Sequence, residues 1–228
     1  MSNSYIKPRR KFLQSLTLGA AALGTTGLTI SINASAGNTG GKHNTDPEAW
    51  MKKITGKHRI VYDVTEPHHQ FPFAWPRVFL LTNEATGTPP NECSVVVILR
   101  HNAIPFAMDN RLWEKYKFGE MFHVTDLNTN ETAMKNPFWK PAPGTYKFPG
   151  FGAVSIGINE LQESGVQFLA CDAALTVYSA VAAGENGNAA EVKKEWTEGI
   201  LPGIHIVPSG VWAVGRAQEK GCGYCFVR

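Results

Sequence analysis

Cys171 is the residue whose type and position best fit covalent chemistry in this sequence. It follows the apolar run Val166–Ala170 and directly precedes an alanine-rich segment, so we expect it between a β-strand and the first turn of a helix. The unpaired backbone N–H groups at a helix start favour the thiolate, which is the nucleophilic form of cysteine. The alternative is a small buried residue that packs between strand and helix and takes no part in chemistry.

Two further segments are expected near Cys171 because each follows a predicted strand. His101 and Asn102 come after the run Cys93–Leu99, and Ser209 and Gly210 come after Ile204–Val207. In open parallel sheets, ligands bind beyond the carboxyl ends of the strands, where helices also begin. We predict that His101 acts with Cys171 as a base or tunes its thiol, and that backbone N–H groups hold an anionic ligand. The predicted ligand-binding residues are Asn102, Asp172, Ser209 and Gly210.

Two other cysteines form a C-G-Y-C motif, Cys222 to Cys225, on the predicted last strand. Strand positions three apart point to opposite faces and are roughly 10 Å apart at ~3.3 Å per residue. That separation exceeds the ~7 Å limit for a disulfide. Buried packing is the first interpretation, and a bridge to Cys93 or to another chain, a redox role and a metal role stay open.

Histidines offer only a weak metal hypothesis. His68 and His69 lie in a proline-rich turn, where adjacent imidazoles can face one ion, and His101 with Cys171 could bind a soft metal. No regular ligand spacing supports such a site, so we predict no cofactor and keep a metal as an alternative. Nucleotide-binding glycine loops, nucleophile elbows and zinc-protease motifs are absent from the sequence.

Five strands and the helices between them must position these residues. The predicted strands are Arg59–Val64, Cys93–Leu99, Val166–Ala170, Ile204–Val207 and Gly223–Val227. Helical periodicity falls over residues 75–84, 109–117, 153–164, 172–183, 189–199 and 209–220. Alternating strands and helices predict an α/β fold: a three-layer, doubly wound, flavodoxin-like domain with a mostly parallel five-stranded sheet.

Two segments show neither strand nor helix periodicity. Residues 37–58 are polar and rich in Gly and Asn, which predicts a flexible linker before a single domain at residues 59–228. Residues 118–151 form a long stretch, the flap, that is rich in proline and aromatic side chains. We expect the flap to pack on its own domain or on a second subunit, and to cover a subunit interface or the Cys171 pocket.

The N-terminus has the pattern of an export signal. Arg9 and Arg10 precede a mildly apolar run diluted by Gly and Thr, and the run closes on Ala34-Ser35-Ala36. Paired arginines before such a run are typical of the twin-arginine signal, which predicts cleavage after residue 36, passage through the Tat translocase and a periplasmic location. The run is too weak for a membrane span, so we predict no stable membrane anchor.

Composition excludes several classes of protein. A chain of 228 residues with 43% hydrophobic and 18% charged residues is a globular protein, neither collagen-like nor disordered. The formal charge of +3 depends on four cations in the first 36 residues, and without them 18 basic residues face 19 acidic ones. We therefore predict no nucleic-acid partner.

Several motifs together resemble the DsrE/DsrF-like family. These are the run from Asn159 to Cys171, the run from Leu201 to Val211, Gln218 to Gly221, and Val96 to His101. The chain departs from the family where Arg100 precedes the histidine and Asn102 replaces a glycine, and its flap is longer. The resemblance implies a small parallel-sheet domain, a homo-oligomer, and a persulfide carried on Cys171.

These observations lead to one functional expectation with two alternatives. We expect an exported DsrE-like protein that binds or relays sulfur through Cys171, with a sulfur donor or acceptor protein as its partner. The alternatives are a non-catalytic periplasmic binding or scaffold protein that uses the flap, and a periplasmic metal-binding protein that uses His68, His69, His101 and Cys171.

Overall fold

A computed structural model describes residues 46–228, and a five-stranded parallel sheet forms the centre of that part of the chain. The strands in chain order are β1 (His58–Val64), β2 (Cys93–Leu99), β3 (Lys147–Phe148), β4 (Gly152–Ala153), β5 (Gln167–Cys171), β6 (Ile204–Val207) and β7 (Gly223–Val227). The large sheet has the order β6-β5-β2-β1-β7, and β3 and β4 form a separate antiparallel pair. The predicted α/β fold is confirmed.

Helices lie on both faces of the sheet, as the predicted three layers require. They are α1 (Phe71–Ala85), α2 (Asn110–Tyr116), α3 (Phe118–Met121), α4 (Ile158–Glu163), α5 (Asp172–Ala183), α6 (Ala189–Glu198) and α7 (Gly210–Glu219). Short 3-10 helices cover Ala49–Lys53, Pro90–Glu92 and His101–Ala107. The chain crosses back over the sheet between β6 and β7, and α7 in that crossover packs against β1, β2 and β5.

Two separate hydrophobic cores fill the faces of the sheet. The larger core includes Phe73, Phe106 and Trp113, and the smaller core lies under α7 and includes Val61, Val96 and Ala213. Apart from its first residue, β2 is buried throughout, as a central parallel strand should be.

The predicted linker is wrong in its described part. Trp50 is only 1% exposed and packs with Ile54 in the smaller core, and the Trp50 indole donates to the Pro47 carbonyl at 2.9 Å. Two isolated apolar residues in a polar segment carry no periodicity, so the pattern did not reveal that they cover one face of the sheet. The ordered fold therefore begins before residue 59.

The flap packs on its own domain, which is one of the two arrangements that its aromatic content predicts. Phe122, Phe138 and Tyr146 are buried in the larger core, and Phe138 stacks on Phe73 of α1 at 4.2 Å between ring centroids. Of the seven Phe, Trp and Tyr residues in the flap, only Phe151 is strongly exposed, at 78%. The flap's apolar surface is therefore mostly used within the domain, which leaves little of it for a neighbouring subunit.

Two predicted helix starts are wrong. The first helix begins at Phe71, so Pro72 occupies its first turn and Pro76 lies inside it. The helix predicted from residue 153 begins only at Ile158, because the Glu160 carboxylate accepts the Gly157 N–H at 2.8 Å and fixes the start there.

The export-signal residues Arg9, Arg10, Ala34 and Ala36 lie outside the described residues. Among residues 46–228, no helix has the length and apolar character needed to cross a bilayer.

Candidate functional site

Cys171 lies where two helices begin. It ends β5 and is the N-cap residue of α5, so its sulfur accepts the Ala174 N–H at 3.3 Å. The same sulfur accepts the Gly210 N–H, from the first residue of α7, at 3.1 Å. Two helix N-termini therefore place positive partial charge on one sulfur atom, which stabilises a negative charge there. The Cys171 residue is 5% exposed.

Gly210 is required at its position by close packing. A Cβ atom at residue 210 would lie 2.6 Å from Arg100 Cδ and 2.8 Å from Arg100 Cβ, which is closer than real contacts allow. The aliphatic part of Arg100 therefore occupies the space that a side chain at residue 210 would need. Ser209 precedes Gly210 and caps α7, because its hydroxyl accepts the Trp212 N–H at 3.2 Å.

Arg100 is fixed by a buried carboxylate. Its Nε donates to Asp63 Oδ1 at 2.6 Å and its Nη2 donates to Asp63 Oδ2 at 2.8 Å. Asp63 is 2% exposed, and Tyr224 of β7 donates its hydroxyl to Asp63 Oδ2 at 2.9 Å. The hydrogen bonds to Asp63 raise the pKa of the Arg100 guanidinium, so Arg100 stays cationic. Cys171 interacts electrostatically with the same guanidinium.

Sequence reasoning missed this group of Asp63, Arg100 and Tyr224, although a signal was present. Asp63 is a carboxylate inside the strand run His58–Val64, and a buried carboxylate needs a partner. Arg100 follows β2 directly, and β2 pairs with β1 so that Asp63 lies beside Ile98. A search for the partner of Asp63 would have found Arg100.

Asp172 does not cap α5, and its charge is directed away from the sulfur. Its carboxylate forms an ion pair with Lys193 of α6 at 2.8 Å, while the Cys171 sulfur takes the capping position. A carboxylate next to a thiolate would disfavour it, and the ion pair with Lys193 offsets that effect. The Asp172 side chain is therefore engaged with Lys193, and ligand binding at Asp172 stays a prediction.

His101 and Asn102 belong to a second polar group that is centred on Glu66. His101 Nδ1 lies 3.3 Å from Glu66 Oε1, and Asn102 Nδ2 donates to Glu66 Oε2 at 2.8 Å. Tyr178 of α5 donates a short hydrogen bond to Asn102 Oδ1, and burial raises the pKa of Tyr178 to about 12. The backbone of His101 has a φ of 51°, in the left-handed region. In the described structure the hydrogen bonds of the Cys171 sulfur come from backbone N–H groups, and His101 pairs with Glu66.

The described residues do not support the weak metal hypothesis. His68 and His69 contact each other edge to face, with ring centroids 5.2 Å apart. Across residues 46–228 there is no cluster of three or more His, Cys, Asp or Glu side chains suited to holding a metal ion.

The remaining cysteines are distinct from Cys171. Cys222 packs in the smaller core and Cys225 against the larger one, so the two lie on opposite faces of the sheet as predicted. Within the described part of the chain, all four cysteines are free. Burial raises the pKa of Cys93, Cys222 and Cys225, which keeps these three thiols protonated.

Comparisons with known proteins supply no function for this site. No protein-family model and no curated protein matches the chain significantly. Among solved structures, one similar chain is the protein of unknown function MTH1491 from Methanobacterium thermoautotrophicum. It is 16% identical with a TM-score of 0.35, over 75% of this chain and 100% of that one. The chemistry of the site therefore has to be inferred from its own geometry.

Proposed function

We propose that this chain is a DsrE/DsrF-like sulfur carrier that holds a sulfane sulfur atom on Cys171 as a persulfide. The observation that carries the proposal is the pair of N–H donors on the Cys171 sulfur, at 3.3 Å from Ala174 and 3.1 Å from Gly210. These donors come from two separate helix starts, and both stabilise a negatively charged sulfur. The other three thiols lack such an arrangement, and burial raises the pKa of each of them.

The transfer step needs no outside oxidant. The Cys171 thiolate attacks the outer, sulfane sulfur of a donor that already contains a sulfur–sulfur bond. A new S–S bond forms on Cys171 as the donor's S–S bond breaks, and the leaving group departs with the electron pair. With thiosulfate the leaving group is sulfite, and with a protein persulfide it is a thiolate. The outer sulfur on Cys171 is then the atom passed to an acceptor by the same reaction.

The wider biological setting is part of the same proposal. The residues Arg9 and Arg10 and the sequence Ala34-Ser35-Ala36 favour export by the twin-arginine route to the periplasm. A homo-oligomer that exchanges sulfur with a donor or acceptor protein fits the family resemblance.

The test is the intact mass of the folded mature protein after incubation with thiosulfate. We expect a gain of the mass of one sulfur atom, lost again on treatment with a reducing thiol. Cys171→Ser should abolish the gain, and Cys222→Ser should keep it because Cys222 is buried to a similar degree but lies in the other core. No adduct on the wild-type protein, or an adduct that persists in Cys171→Ser, would refute sulfur carriage by Cys171.

One observation favours the alternative of a non-catalytic binding protein. Helix α1 exposes Trp75, Val78 and Leu81, each more than 40% accessible. An apolar groove between α1 and β7 includes Tyr62, Trp75 and Cys225. Exposed apolar surface of this kind is typical of a protein-binding face. If the thiosulfate experiment gives no adduct, this alternative becomes the leading one.

A further inference from the structure

Arg100 lies against the residue that donates to the Cys171 sulfur, and it is held by two polar side chains of neighbouring strands. Asp63, Arg100 and Tyr224, called the Arg100 group below, are joined by hydrogen bonds of 2.6, 2.8 and 2.9 Å. The Arg100 stem packs on Gly210, whose N–H donates to the sulfur. Arg100 and Cys171 thus contact the same residue.

We propose that Arg100 is a specificity-determining residue that makes the Cys171 site select small anionic sulfur donors, of which thiosulfate is the simplest. This inference rests on the proposed sulfur-carrier function and adds the class of donor. It assigns a role to the arginine that departs from the family pattern.

The reaction itself explains why a cation is needed. A thiolate that attacks thiosulfate brings two anions together, and their repulsion opposes the approach. The Arg100 side chain is a quarter exposed, and Asp63 engages only its Nε and Nη2, which leaves Nη1 to donate to a sulfonate oxygen. A fixed guanidinium whose stem packs on Gly210, and which interacts electrostatically with Cys171, therefore lowers the barrier for an anionic donor more than for a neutral one.

Burial limits the size of the donor. The Cys171 residue is 5% exposed, Ala174 and Gly210 donate to its sulfur, and the Arg100 stem packs on Gly210. A small ion reaches such a sulfur with less rearrangement of these neighbours than the persulfide loop of a donor protein would need.

Asp63 and Tyr224 are positioning residues in this arrangement. Two parallel hydrogen bonds donated by the guanidinium to the Asp63 carboxylate hold Arg100 in one orientation, and the Tyr224 hydroxyl donates to the same carboxylate from the neighbouring strand. Without them the long Arg100 side chain would sample several rotamers, and its charge would not stay beside Gly210.

The test compares alkylation of Cys171 by iodoacetate, an anion, with alkylation by iodoacetamide, its neutral analogue. The rate ratio is measured by peptide mapping on the folded protein and normalised to the same ratio in the unfolded chain. We expect the normalised ratio to exceed one in the wild type, to fall about five-fold in Arg100→Met, and to be largely kept in Arg100→Lys.

Two further variants separate charge selection from damage to the fold. Asp63→Asn combined with Arg100→Met removes both partners and leaves no unpaired buried charge, and it should show the same loss as Arg100→Met. Arg59→Met is the matched control, because it removes one cation at the opposite end of β1, where Arg59 donates to the Gly56 and Lys220 carbonyls. This variant should keep the wild-type iodoacetate-to-iodoacetamide ratio. In the wild type, 1 M salt should reduce the ratio because the charge effect is screened.

An unchanged ratio in the two Arg100→Met variants would overturn the proposal, and so would an equal fall in Arg59→Met or a wild-type ratio of one. These outcomes do not depend on sulfur transfer. A selective site that forms no thiosulfate adduct would reject the sulfur-carrier function, whereas an adduct formed at the same rate with and without Arg100 would reject only the role of Arg100.

Discussion

Replacing Gly210 by alanine tests the central contact of the site, because two effects of opposite sign compete there. Alanine is favoured over glycine in helices by up to ~1 kcal/mol, and Gly210 is the first residue of α7. The new Cβ would lie 2.6 Å from Arg100 Cδ, 2.8 Å from Arg100 Cβ and 3.1 Å from Ile98 Cγ2. Arg100 cannot easily move, because its Nε and Nη2 atoms both donate to the Asp63 carboxylate.

The expected result is a net loss of stability. Overpacking of this kind costs about 1–3 kcal/mol, which exceeds the helix gain and leaves Gly210→Ala roughly 1–2 kcal/mol less stable. For a domain of this size that corresponds to a fall in Tm of ~2–8 °C. The shift of Arg100 and of the Gly210 N–H should also slow iodoacetate labelling of Cys171.

A matched control lies in the same helix. A Cβ atom at Gly215 would have no neighbour within 4 Å, so Gly215→Ala should be neutral or more stable by up to ~1 kcal/mol. Thermal unfolding of both variants, with peptide-mapped labelling, decides between the two effects. If Gly210→Ala is as stable as Gly215→Ala and labels at the wild-type rate, then the close approach of Arg100 to residue 210 is wrong.

Two further predictions concern other parts of the chain. Hydrogen bonds from Lys115, Tyr116 and Arg111 lower the pKa of Glu195 to about 2. The ionised carboxylate therefore stabilises the fold above its ordinary pKa of about 4.5. That contribution is lost as the pH falls from about 4.5 to about 2. Glu195→Gln should lower the free energy of unfolding by ~1–2 kcal/mol at pH 7, with the difference vanishing near pH 2; a pH-independent difference would contradict this mechanism. Replacing Arg9 and Arg10 by lysine should retain the precursor in the cytoplasm, because the pathway reads the arginine pair rather than the charge, and periplasmic accumulation of this variant would disprove the predicted route.

Regular elements were predictable where one periodicity covers the whole element. The runs Cys93–Leu99, Ile204–Val207 and Gly223–Val227 form strands with the predicted bounds, and Asp172–Ala183 forms the predicted helix. These segments are apolar or alanine-rich, and Pro208 and Gly184 mark the ends of two of them, so local preference and tertiary packing agree. Strand order was not predictable, because pairing depends on contacts between residues far apart in sequence.

The wrong linker prediction has a physical cause. Trp50 and Ile54 lie in a polar segment without periodicity, and only the finished smaller core shows why they are buried. Periodicity detects a face that is repeated along one element. It does not detect a side chain that a loop delivers to a core built by other elements.

The sequence was enough to predict where the candidate site lies, but not which residues contact Cys171. A cysteine between a strand and a helix start predicted that Cys171 would lie against backbone N–H groups, and the sulfur indeed accepts two of them. The second donor comes from Gly210, 39 positions along the chain, and its identity depends on β5 and β6 lying side by side. His101 was the expected partner because of its type, whereas Arg100, one residue earlier, is the side chain that packs beside Gly210.

Electrostatic compensation around Cys171 explains why backbone groups, rather than side chains, hold the sulfur. Asp172 is paired with Lys193 and Arg100 with Asp63, so neither side chain is bonded to the sulfur, while Arg100 stays cationic. The N–H groups of Ala174 and Gly210 remain, and a backbone N–H does not depend on a titrating side chain. A donor that brings further negative charge can meet Arg100, whose Nη1 makes no hydrogen bond to Asp63. The backbone therefore stabilises the bound sulfur, while the side chains decide which donor can deliver it.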